Sequence, residues 1–167
     1  MQDHTTNPHA DLSQVWTEYV AGFAHWTSFV TLTFEQADRT HNVTQTEAHF
    51  KFRRLVQVLN NDLYGHHYTR IVGHSYFAYA LAFENHKSGL LHMHALMDNR
   101  TNWSLIKRYW QGEKRPYHMG IVDIKRADIG VHTKYICKYV TKGGQIVLHK
   151  PTKSKVPKFS PDWYMDR

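Results

Sequence analysis

The spacing of apolar residues changes several times along the chain, and each change predicts an element. Leu12, Val15, Trp16, Tyr19, Val20 and Phe23 recur every three or four positions behind Asp11. This predicts an amphipathic helix capped by that aspartate. Phe29 to Phe34 alternates β-branched and aromatic residues, the pattern of a strand. Thr44 and Glu47 have the spacing of a capping box, opening a helix to about Asn60 with Phe52, Leu55, Val56 and Leu59 inward. A polar, glycine-containing stretch from Asn61 to Ser75 follows. Tyr76–Glu84 and Leu90–Met97 are predicted strands, and the turn-rich Asn85–Gly89 makes them a hairpin. Trp103–Gln111 has helical spacing with Trp110 in the core, and His118–Arg126 is a further strand. Gly130–Lys142 should form a helix stopped by Gly143 and Gly144, with Gln145–Leu148 as an edge strand. Hairpin-joined strands mixed with helices on one side predict an α+β fold: a central antiparallel sheet of about five strands with flanking helices.

The 167 residues suit one domain, 1–167, with residues 143–167 as a flexible basic tail. Twenty-one Lys and Arg against 14 Asp and Glu leave +7, which points to a polyanionic partner. The single cysteine, Cys137, excludes an internal disulfide and a cysteine-rich zinc site. No apolar run approaches the ~18 residues of a membrane span, and Met1–Gln14 lacks the pattern of a signal peptide. An intracellular protein without membrane contact is expected. The 14 histidines need sorting by position, since most lie in polar or turn-rich surroundings.

His92 and His94 are the pair that spacing selects. Alternate residues of a strand leave the same face about 7 Å apart, near enough to hold one ion. Pairing Glu84 with Leu90 across the hairpin sets Ala82 against His92 and Ala80 against His94, with Glu84 on the histidine face and diagonal to His92. Ala78, Ala80 and Ala82 then leave room for an ion, while Phe77, Tyr79, Leu81 and Phe83 fill the opposite, core face. Two imidazoles and a carboxylate suit a catalytic divalent metal, in a cleft open to solvent. Surface roles for all three remain the alternative.

On the predicted helix that follows, Tyr135, Lys138, Tyr139 and Lys142 fall within one stripe of about 100°, opposite Thr133, Ile136, Cys137 and Val140. An amphipathic surface helix has the same pattern. A phenol with a pKa near 10 becomes a useful nucleophile only when its electrophile is polarised and a cation stabilises the developing charge.

Phe29–Phe34, His92-Met-His94 and Tyr135-Ile-Cys-Lys-Tyr139, in that order, resemble the three motifs of HUH endonucleases of the Rep type. These are the rolling-circle replication initiators of small plasmids and phages. The resemblance spans about residues 29–142. Glu84 eight positions before His92 is similar to the layout in Reps of circular single-stranded DNA viruses. The paired tyrosines resemble those of microvirus-type initiators. The resemblance implies a Mg²⁺ or Mn²⁺ site with His92, His94 and Glu84 as ligands, and Tyr135 as the first-choice nucleophile. Tyr139 would be the second tyrosine and Lys138 the motif lysine. It further implies attack on a DNA phosphodiester that leaves a 5′-phosphotyrosyl link and a free 3′-OH. Single-stranded DNA at a replication origin is the implied substrate, in a prokaryotic cytoplasm. No Gly-x-x-x-x-Gly-Lys-Ser/Thr is present, so a host helicase and polymerase are the expected partners. Lys51, Arg53 and Arg54 on the long helix, with Lys142 and the lysines after it, are candidate DNA contacts. A tyrosine transposase of the same superfamily and a DNA-binding module without catalysis are the competing readings.

Overall fold

The computed structural model describes residues 8–35, 43–68, 77–85, 89–98, 100–112, 119–139 and 144–149. In chain order the elements are α1 (Pro8–Phe23), β1 (Trp26–Thr33), α2 (Gln45–Tyr64), β2 (Tyr79–Asn85), β3 (Leu91–Asp98), α3 (Trp103–Gln111), β4 (Val122–Arg126), α4 (Ile129–Cys137) and β5 (Ile146–His149). The five strands form one antiparallel sheet in the order β4-β1-β3-β2-β5. The α+β architecture is as the pattern predicts. No helix among the described residues is long and apolar enough to cross a membrane.

Strand alternation divides the sheet into two faces, and both are covered. Val30, Leu32, Leu81, Phe83, Met93 and Met97 meet Phe52, Leu55 and Leu59 of α2 and Ile106 and Trp110 of α3. On the other face Phe29, Ala78, Ala80, Ala82 and Leu96 meet Val20 of α1 and Ile136 and Cys137 of α4. The expectation of helices on one side is thus corrected: α1 and α4 pack on one face, α2 and α3 on the other. Periodicity shows that a helix has an apolar stripe but not which side of a sheet receives it.

Local sequence fixes the start of α2. The Thr44 hydroxyl accepts from the Glu47 amide at 3.2 Å, and the Glu47 carboxylate accepts from the Thr44 amide at 2.8 Å. Both orphan donors are satisfied reciprocally. Thr44→Ala should therefore cost about 1 kcal/mol, read as a lower urea midpoint with unchanged slope. The start of α1 differs from expectation. The helix already begins at Pro8, so Asp11 lies inside it rather than at its cap. Only Val20 of its predicted stripe is fully buried, while Leu12, Val15 and Tyr19 are exposed.

The hairpin register also differs, by two residues. Glu84 stands opposite His92, Ala82 opposite His94 and Ala80 opposite Leu96. An even shift preserves faces, so Glu84 keeps the histidine side. The edge strand expected at Gln145–Leu148 exists as β5 and pairs with β2 from Tyr79 to Ala82. Lys142 and the lysines from Lys150 onward lie outside the described residues.

Candidate functional site

The face of the sheet under α4 carries Thr31, Glu84, His92 and His94, and α4 lowers Tyr135 onto them. Its start is set by Asp128, whose carboxylate accepts from the Val131 amide at 3.1 Å. Thr133, Ile136 and Cys137 are buried, as their spacing predicts. With that side fixed, the Tyr135 hydroxyl reaches across the sheet and donates to Glu84 Oε2 at 3.0 Å. The same carboxylate oxygen is 2.9 Å from His94 Nε2. On the far side of that ring, His94 Nδ1 lies 3.1 Å from the Thr31 hydroxyl. The imidazole is thus held at both nitrogens, between β1 and β2. Lys138 completes the group, with Nζ 3.8 Å from Glu84 Oε1 and 3.5 Å from the centre of the Tyr135 ring.

Rings hold the arrangement laterally. Phe29 stacks on His94 with centroids 5.8 Å apart and on His132 at 4.2 Å. Tyr135 meets His94 edge-on at 4.9 Å, and Tyr139 lies parallel to it at 6.2 Å. Such contacts add up to roughly 1 kcal/mol each beyond their burial and limit ring rotation.

The electrostatics follow from this packing. Desolvation works against the Glu84 anion, but the nearby Tyr139 hydroxyl, hydrogen bonds from His94 and Tyr135, and the Lys138 charge outweigh it, holding the carboxyl at about 2. Burial lowers His94 below the usual imidazole range; Glu84 opposes this, while His92 and Lys138 add to it. Burial, then the Glu84 and Tyr135 side chains, push the Tyr139 phenol well above its ordinary range. Its hydroxyl lies near both groups yet has no partner in hydrogen-bond geometry among the described residues.

Three sequence expectations need correction here. His94 is 5% exposed, so it belongs to the packed interior and not to a solvent-facing cleft, whereas His92 is half-buried. The small Ala80 and Ala82 receive α4, since they are fully buried in the cluster with Ile136, Cys137 and Tyr139. The tyrosine helix ends at Cys137, capped by Lys138, instead of running to Lys142. Further on, the Gly144 amide donates to the Tyr139 carbonyl at 2.7 Å. A Cβ at Gly144 would sit 2.9 Å from that oxygen, so only glycine allows the approach. Tyr139 is buried in the cluster with Ala80, Ala82 and Ile136, so it does not share an exposed stripe with Tyr135.

Thr31, Phe29 and His132 were not singled out individually by the sequence. Thr31 alternates with Phe29 and Thr33 on one face of β1, and only the β1–β3 register, which places it opposite His94, singles it out.

Among the described residues no three His, Cys, Asp or Glu side chains converge into a metal-binding group. Glu84 and His94 touch each other, and His92 stands beside them on the same face, directly opposite Glu84. Two imidazoles and an ionised carboxylate form a donor set that suits a divalent cation. Opening the direct Glu84–His94 contact would free both donors. Arg53 and Arg54 lie elsewhere, on α2 against the opposite face; Lys51 is on the same helix.

The model of the replication-associated protein ORF2 family matches residues 27–144, well over half of the chain. The match starts in β1 and ends at the glycine that contacts Tyr139, so it takes in every element of the site. No curated protein and no solved structure matches the chain.

Proposed function

Since the chain belongs to this family of replication-associated proteins, with a role in replication initiation, we propose that it acts by metal-dependent nicking and joining of single-stranded DNA through a phosphotyrosine link. The observation that carries this reading is the Tyr135 hydroxyl, set 3.0 Å from an ionised carboxylate and under a lysine ammonium. A surface tyrosine needs neither neighbour.

In this reading Tyr135 Oη forms a bond to the scissile phosphorus as the bond from phosphorus to O3′ breaks. The 5′-phosphate stays on the tyrosine; the phenolic proton passes to solvent, and the 3′ oxygen leaves as a hydroxyl by taking a proton from solvent. Glu84 accepts the phenolic hydrogen bond and orients the oxygen before attack. Lys138, over the Tyr135 ring, stabilises charge that develops on the phenolate. Thr31 fixes the His94 ring, leaving Nε2 directed into the site. His92, His94 and Glu84 are the residues that would hold Mg²⁺ or Mn²⁺, which when bound supplies Lewis-acid polarisation of the phosphate. Tyr139, buried behind His94, is placed for a second round, after a shift that exposes its hydroxyl. Origin single-stranded DNA is the proposed substrate, with host helicase and polymerase supplying unwinding and synthesis.

The test is a labelled oligonucleotide library incubated with the protein and resolved in SDS. A covalent adduct should form with Mn²⁺ or Mg²⁺, disappear with EDTA and return on adding metal. If DNA is bound but no adduct forms with any divalent metal, the protein is a binding module and this mechanism is wrong.

A further inference from the structure

A second basic, anion-attracting surface lies on the far side of the sheet from Tyr135. There, between α2 and the edge strand β5, is a cleft of about 720 Å³. Arg53 and Arg54 line it, and none of its described lining residues is acidic. Phe50 stands at its margin 59% exposed, with the Arg54 guanidinium 5.2 Å over its ring. An exposed ring with a guanidinium at its face offers a base a stacking surface next to a phosphate partner. His49, Tyr68 and His149 supply further rings along the wall. His49 Nε2 is buried and has no hydrogen-bond partner among the described residues. Cations for phosphate and flat rings for stacking are the ingredients of a single-strand nucleotide site.

We propose that this cleft holds a segment of single-stranded DNA, with backbone phosphate on Arg53 and Arg54 and a base against Phe50. Its volume lies within the range of small-molecule pockets, which suits one or two nucleotides rather than a duplex. The site stands on its own residues, whatever the chemistry at Tyr135. Where both sites act, a strand held on one face is tethered while the other face works on a distant phosphodiester.

A 12-mer carrying 5-iodouracil, bound in EDTA and irradiated, gives the direct test. Peptide mapping should find crosslinks on Phe50, Tyr68 or His149. In the Arg53→Ser/Arg54→Ser variant, affinity at moderate salt should fall about tenfold and the salt slope by about 1.4, the value for two phosphates on a single strand. Both arginines are exposed, so the variant should fold; the crosslinks in the unaltered chain need no variant at all. Crosslinks confined to the tyrosine face, or an affinity unchanged within twofold, would overturn the proposal. Equal competition by thymidine monophosphate at matched nucleotide concentration would assign the cleft to free nucleotides, also against it. Displacement by polyglutamate as effective as by DNA would reduce the site to bare charge, a third contrary outcome.

Discussion

Tyr135→Phe should lower first-round nicking by roughly 10⁴-fold or more, the scale on which loss of a nucleophile is felt. The substitution removes one oxygen and keeps the ring, so the contacts with Phe29, His94 and Lys138 survive. Binding of an uncleavable oligonucleotide should accordingly change little. Tyr139→Phe should behave differently. It deletes a buried hydroxyl that has no hydrogen-bond partner among the described residues, which is neutral or mildly stabilising. First-round nicking should persist, with the deficit in termination or strand transfer. Single-turnover cleavage of end-labelled DNA, with peptide mapping of the adduct, separates the cases. An adduct on Tyr139 alone would reverse the ranking of the tyrosines, and normal nicking by the Tyr135→Phe/Tyr139→Phe double variant would remove both from the chemistry.

His94→Ala should be the second large loss, about 10³-fold in nicking. Polarisation of a phosphate by a metal is worth several kcal/mol, and each 1.36 kcal/mol is tenfold in rate. Because His94 is buried between Thr31 and Glu84, alanine also leaves a void and two polar groups without their partner. Stability should therefore drop by about 1–3 kcal/mol. His94→Gln separates the two effects: it should restore most of the urea midpoint without restoring cleavage. If the glutamine variant nicks normally, the imidazole is structural. His92, half-buried, should show the catalytic loss with little loss of stability on substitution by alanine.

Short-range patterns carried much of this structure in the sequence. Thr44 and Glu47 form the capping box their spacing predicts, α3 has the predicted limits, and strand parity placed Glu84 on the histidine face. Parity, however, is blind to a shift of two, so the sequence could not distinguish Glu84 opposite Leu90 from Glu84 opposite His92. The latter brings the carboxylate within 2.9 Å of His94. The end of α4 at Cys137 is not contained in helical periodicity, whose stripe continues through Tyr139. Burial of Tyr139 comes from its packing with Ala80, Ala82 and Ile136, contacts that periodicity does not contain either. The role of Thr31 depended on β1 pairing with β3, a partnership between strands 63 residues apart at the His94 contact.

Those separations govern when the site can exist during synthesis. Thr31 meets His94 across 63 residues, and Tyr135 meets Glu84 across 51. Neither contact is available to a nascent chain that has folded only its local helices and the β2–β3 hairpin. Contacts so far apart form late, after the entropy of closing long loops has been met. A truncated or stalled chain therefore carries the histidines without the tyrosine, and a chain still collapsing carries the tyrosine without its carboxylate. For a protein proposed to cut DNA, topology thereby acts as a quality check: the hydroxyl is oriented only in copies that have finished folding.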